Sequence, residues 1–250
     1  MSITYAVDAG IATIRIDRPD KLNALTLAMY EELGAAFDRA NTDDAVRVIL
    51  LGGSGERAFC VGADLTESIP ALAEGRFEIS EWDHAHVKQP GFYKPIVAAI
   101  NGLCMGGGFE IMLAADIRVA AEDAQFSFPE ASLGFVPAGG TLVRLARQIP
   151  YAYAMELMLT AGRFPAARLA EMGLLNRVVP RAELQEVALS YARAIARNGA
   201  VAVSVIKEAV LTLGHLPFDE AFRRESRLGQ RAFTCDEARE GLRRFVTRTR

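Results

Sequence analysis

The chain has 250 residues, 51% apolar and 24% charged, a composition that buries a sizeable core and excludes a disordered or fibrous protein. A formal net charge of −3 excludes a chain that is basic throughout, as a general nucleic-acid binder would be. No apolar run approaches the roughly 18 residues of a membrane-spanning helix. Three cysteines (Cys60, Cys104, Cys235) lack zinc spacing and "MSITYAVDAG" has no apolar leader, so a cytoplasmic protein is expected.

In chain order, "ITYAVDAGIATIRID" alternates on both sides of Ala9-Gly10 and predicts a β-hairpin. Thr26 is placed to cap a helix whose Leu27, Tyr30, Leu33 and Phe37 share one face. "VRVILLGG" and "KPIVAAING" are short continuous apolar runs, the pattern of strands buried on both faces. "DIRVAAEDAQFSF" is further strand material. From Gly139 onward the pattern turns helical. "PAARLAEMG" opens with proline and closes with glycine, and residues 181–197, 200–213 and 218–231 keep helical periodicity. "TCDE", Thr234 to Glu237, fits a capping box opening a last helix with Leu242, Phe245 and Val246 on one side. The fold class is therefore α/β: a strand–helix core over 1–195, then a helical region over 196–250.

Charge is uneven along this frame. Residues 223–250 hold nine arginines against four acids, a local +5. The arginines recur at helical spacing with apolar residues, which predicts an amphipathic packed helix rather than a nucleic-acid surface.

Several motifs fail on context. "GSGERA", Gly53 to Ala58, literally fits a dinucleotide fingerprint but is followed by "FCVGAD" instead of a helix. His84 and His86 in "WDHAH" have no acidic or histidine partner at metal spacing and are expected on a loop or helix surface.

"NGLCMGGGFEIMLAAD" is the informative stretch. Three glycines, Gly106 to Gly108, run into an apolar helical pattern with Glu110 just inside it. A helix N-terminus offers unpaired N–H groups and partial positive charge, and glycine lets a ligand reach them. "FCVGADL", Phe59 to Leu65, offers a second turn with free amides. Two N–H groups converging on one oxygen make an oxyanion hole, where losing one donor costs on the order of 3 kcal/mol. Glu110 reads either as a first-turn residue favoured by the helix dipole or as a buried acid. Glu130 in "FSFPEASLGF" reads as a helix start after Pro129 or as a second such acid. Two carboxyls facing one cavity could hold a water between them, but periodicity does not show that they meet.

The stretch "CMGGGFEIMLAADIRVAAEDAQFSFPEASLGFVPAGGTLVRLARQI" resembles the enoyl-CoA hydratase (crotonase) family. "RPDKLNALT", "RAFCVGADLTE", "GLLNRVVP" and "EAREGLRRFVTR" do so in the right order, over nearly the whole chain. The resemblance implies a spiral of ββα turns followed by helices that assemble homotrimers, often paired as hexamers. It also implies an acyl-CoA thioester substrate, with no metal and no cofactor beyond the coenzyme A of the substrate. The amides of Ala63 and Gly107 would hold the thioester oxygen, and Ala63, Asp64, Leu65 and Thr66 would lie along the CoA thiol end. Glu110 and Glu130 would be the catalytic pair, Glu130 the proton donor to Cα. Phe245 and Arg248 would reach the CoA of a neighbouring subunit. The implied activity is hydration of a 2-trans-enoyl-CoA, as in fatty acid metabolism. Other reactions of the family (isomerisation, carnitinyl- or hydroxyacyl-CoA dehydration, retro-aldol cleavage) are the alternative, and a non-catalytic binding protein of this fold is a further one. Two stretches depart from the family pattern. "GFVPAGGTLVRL" is differently spaced between Pro137 and Gly139, and residues 68–93 match no subgroup, so Trp82 and its neighbours are expected to set acyl length.

Overall fold

The computed structural model describes residues 2–248, the last without its side chain. The hairpin forms as the alternation predicts. β1 (Ile3–Asp8) pairs antiparallel with β2 (Ile11–Ile16), Ile3 opposite Ile16. Ala9 (φ +47) and Gly10 (φ +80) supply the two left-handed residues that a tight hairpin turn needs. Asn23 then ties the chain down, donating to the carbonyls of Ser54, Ala58 and Phe59 and accepting from the Arg18 amide. Thr26 caps α1 (Leu27–Thr42), its hydroxyl accepting from the Met29 amide at 3.2 Å, and Tyr30, Leu33 and Phe37 are buried.

The rest of the core is a repeated step in which one strand joins a large sheet and the next a small one. β3 (Val48–Gly53) enters the large sheet and β4 (Ala58–Cys60) the small one, followed by α2 (Ser68–Ala73). β5 (Ile96–Ile100) and β6 (Leu103–Met105) repeat this and lead into α3 (Gly107–Met112). β7 (Ile117–Ala121) and β8 (Gln125–Ser127) repeat it again, before α4 (Thr141–Gln148) and α5 (Tyr151–Thr160). β9 (Phe164–Pro165) closes the small sheet, and α6 (Ala166–Glu171) leads to β10 (Arg177–Val179). The large sheet runs β1-β2-β3-β5-β7-β10, parallel from β2 onward. The small one runs β4-β6-β8-β9.

Burial on both faces explains the continuous apolar runs. Ile49 and Leu51 of β3 face the main core with Phe37, Phe59 and Phe109, whereas Val48 and Leu50 face a second core. That second core is closed by Leu184, Ala188 and Ala192 of α7 (Leu184–Ala196). The chain ends in α8 (Ala200–Leu213), α9 (Phe218–Phe233) and α10 (Asp236–Arg248). Among the described residues no helix is long and apolar enough to cross a membrane.

Three expectations need correction. The stretch after Gly139 is not purely helical: β10 adds a sixth strand beside β7, too short at three residues to show a period of two. The capping box at Thr234 does not form. Thr234 donates back to the Gln230 carbonyl, and Glu237 accepts from Arg47 and the Val201 amide. The arginine-rich end is helical and amphipathic as expected, but α9 buries none of its residues in this chain, and Phe218, Phe222 and Phe233 stand exposed.

Candidate active site

α3 has an open end and a closed end. At its C-terminus the buried Arg118 donates to the carbonyls of Met112, Leu113 and Ala115, and also to Leu174 and Gln148. These bonds satisfy acceptors that a helix end leaves unpaired. At its N-terminus Gly106 (φ +49) turns the chain and no side chain caps the first amides.

The loop after β4 meets this open end. Gly62 (φ +88) sits so close that a Cβ there would lie 2.7 Å from the Gly107 nitrogen. A Cβ on Gly107 would lie 3.7 Å from the Ala63 nitrogen. The two loops therefore touch glycine to glycine, with the Ala63 and Gly107 amides side by side. A short bridge fixes the first loop: Leu25 donates to the Gly62 carbonyl and accepts from the Asp64 amide, both at 2.8 Å. That pairing uses the residues flanking Ala63. Among the described residues neither the Ala63 nor the Gly107 N–H donates to a protein acceptor. Asp64 accepts from the Thr66 amide and hydroxyl and from Arg18 at 2.7 Å, and these bonds, Thr66's first, hold its carboxyl down to about 2. Asp64 and Thr66 thus shape the loop, while Leu65 is 68% exposed at the cavity mouth.

A cavity of ≈ 710 Å³ opens over these amides, within the size range of small-molecule sites. Glu110 and Glu130 both line it, with Ala63, Gly106 and Gly107. Glu110 is buried, its Oε1 accepting from the Gly139 amide at 2.7 Å. Burial first, and the charge of Glu130 second, push its carboxyl up to about 7. Glu130 begins the short helical turn Glu130–Leu133, with Oε1 reaching over Gly106. Burial raises its pKa too, and its Oε2 is buried without a protein partner. Much of the remaining lining is apolar, built from Ile69, Leu72, Phe77, Ile79, Trp82, Leu133, Phe135 and Val136. The expected association of Trp82 with the cavity is therefore seen. Phe245 is exposed on α10 and does not line this cavity, and the Arg248 side chain lies outside the described residues.

Two polar groups here escaped sequence reasoning. Tyr30, expected only on the buried face of α1, lines the cavity with a hydroxyl that has no protein partner. Its ring stacks on Trp82 at 4.1 Å, and burial raises its pKa well above the usual value. His86 is not on the surface as expected but buried, with Nε2 4.0 Å from Glu110 Oε2. His84 is the exposed one, bonded to Asp38. Spacing from Trp82 could have found His86, which lies one helical turn later, but nothing local separates it from His84. Among the described residues no cluster of His, Cys, Asp and Glu is placed to hold a metal.

The profile of the enoyl-CoA hydratase/isomerase family matches residues 6–250. The chain is 38% identical to an enoyl-CoA hydratase of Mycobacterium tuberculosis, over 93% of this chain and 89% of that protein. It is 36% identical to a carnitinyl-CoA dehydratase of Proteus mirabilis, over 89% and 85%. The crystal structure of an enoyl-CoA hydratase from Bacillus anthracis superposes with a TM-score of 0.93 at 33% identity, covering 99% of this chain and 97% of that one. An amide pair at a helix start, reached by alternating strands between two sheets, is thus the local expression of a whole-chain likeness, and the chain belongs to the enoyl-CoA hydratase/isomerase family, with the crotonase fold.

Proposed function

We propose that this protein is an enoyl-CoA hydratase, adding water syn across the 2-trans double bond of an enoyl-CoA thioester. The observation that carries this reading is the placing of two carboxyl groups, Glu110 and Glu130, on one cavity beside two unclaimed amides. The Ala63 and Gly107 N–H groups would donate to the thioester oxygen as negative charge builds on it, polarising the conjugated double bond. Both glutamates would hold the water. Its oxygen bonds to Cβ as its proton passes to Glu110, while Glu130 gives a proton to Cα. A carboxyl titrating near neutrality, as Glu110 does at about 7, suits this exchange in either direction.

Hydroxyacyl-CoA dehydration is the same path reversed and is the second reading. It is favoured by Tyr30 Oη and Trp82 Nε1, buried polar atoms of the cavity lining that have no protein partner. They suit an acyl group with a polar substituent, and a carnitinyl-CoA dehydratase is among the relatives.

The test is turnover across enoyl-CoA and hydroxyacyl-CoA esters, read by the enoyl-thioester absorbance. Glu110→Gln and Glu130→Gln should each lower kcat by about 10²–10⁴-fold, with the Kd for an unreactive acyl-CoA nearly unchanged. Near-normal rates in either variant would refute the assigned roles. Activity confined to 3-enoyl esters would replace hydration by isomerisation.

A further inference from the structure

His86 is held in place by an unusual backbone. Arg144 of α4 donates to the His86 carbonyl at 2.8 Å and to the Val87 carbonyl at 2.6 Å. Val87 itself has φ +52, which a β-branched residue adopts only at a cost. The clamp fixes an imidazole that is 1% exposed.

The hydrogen bonds decide which ring nitrogen carries the hydrogen. Nδ1 lies 2.9 Å from the Trp82 carbonyl oxygen. A carbonyl only accepts, so Nδ1 is the donor. Burial keeps the ring neutral, its pKa down to about 4, which leaves Nε2 a bare lone pair. Nε2 has no protein partner and faces Glu110 Oε2 at 4.0 Å. The space they share is kept open by Gly139: a Cβ there would lie 2.5 Å from Nε2 and 2.7 Å from Oε2. A lone pair opposite a carboxylate oxygen, both buried, is repulsive. With a proton on Oε2 the same two atoms attract.

We infer that His86 is a positioning residue for Glu110: its Nε2 accepts the hydrogen bond of the Glu110 carboxyl whenever that group holds a proton, which favours the neutral form and makes the carboxylate a stronger base. Glu130, which lines the same cavity, pushes in the same direction through its charge. Tyr30 faces the pair from α1 as a neutral phenol, its ring 5.6 Å from the imidazole. Arg144 opposes with its positive charge, but its guanidinium is engaged by the two carbonyls. Lys88, paired with Asp83, bears on the imidazole from its own segment and helps keep it uncharged. The inference deepens the role proposed for Glu110, yet it concerns the resting protein and can be tested without substrate.

Two measurements on the full chain test it. In ¹⁵N NMR of the native protein at neutral pH, His86 should show a protonated Nδ1 and a bare Nε2, with the Nε2 shift following the titration of Glu110. A protonated Nε2 would overturn the proposal. In difference infrared spectroscopy, the carboxylic-acid band lost in Glu110→Gln reports Glu110 directly. His86→Asn keeps a donor near Nδ1 and removes the acceptor, and should lower the proton affinity of Glu110 about tenfold. His86→Gln, whose carbonyl reaches the Nε2 position, should restore part of it. An unmoved midpoint in a folded His86→Asn protein would also overturn the proposal, and if that variant does not fold the nitrogen shifts decide.

Discussion

Glu110 binds a proton up to about pH 7 in the folded chain, against 4.5 ordinarily, because burial and Glu130 disfavour its charge. Between those values the native state holds more protons than the unfolded one, so this group makes stability fall as pH rises. The amide of Glu110→Gln stays neutral throughout and can still accept from Gly139. Its thermal stability should match the parent near pH 4.5 and exceed it increasingly toward pH 7, by up to about 3 kcal/mol. A constant difference across that window in a pH series of unfolding curves would refute the shift. Tyr30 makes a parallel case. Its buried hydroxyl has no protein partner, so Tyr30→Phe should keep the stacking on Trp82 and raise stability by about 1 kcal/mol, measured by denaturant unfolding. That variant should be stable whatever it does to turnover.

At the scale of elements, α3 is held from behind by one side chain. Arg118→Ala would leave the carbonyls of Ala115 and Leu174 without their donor, at about 1–3 kcal/mol for each group left buried and unpaired, while Met112 keeps the Ala115 amide and Leu113 keeps Gln148. A large drop in Tm is expected, and a small one would mean that other donors replace it. Much of the element plan was legible beforehand. The hairpin, the Thr26 cap and the buried runs of β3 and β5 follow from alternation, a hydroxyl before an apolar stripe, and glycine-bounded apolar runs. β10 was not legible because three residues carry no period. The Thr234 motif misled because Glu237 finds better partners in Arg47 and the Val201 amide, both distant in sequence. Of the site, pattern singled out the glycine-led helix start, the turn after Phe59, Glu110 and Glu130 as candidates, while family likeness supplied the pairing of Ala63 with Gly107 and the roles of the two acids. Tyr30 and His86 look like ordinary core and surface residues, since what makes them matter is a neighbour far along the chain.

For the molecule as a whole, the helices after residue 199 leave Ile206, Val210, Leu211, Phe218, Phe222 and Phe233 exposed, an unusual load of large apolar side chains for a soluble surface. The trimer or hexamer implied by family likeness would cover such a face. Sedimentation should therefore give three or six times the chain mass, and Phe222→Glu should shift it toward smaller species. A monomer at micromolar concentration would contradict that expectation. Arg224, Arg239 and Arg243 pair with Glu220, Asp236 and Glu240 on their own helices, exposed contacts worth little individually, so the local +5 is spread over the helix surfaces. The contact of Gly62 with Gly107 has a consequence on this larger scale. One jaw of the cavity is backbone pressed on backbone, and a carbon added at Gly62 would force it apart. The other jaw is made of interchangeable side chains between residues 65 and 82 and between 133 and 136. Substitutions that reshape the cavity for another ligand are therefore expected on the replaceable side, while the proposed hold of the two amides on a thioester oxygen would tolerate none at Gly62.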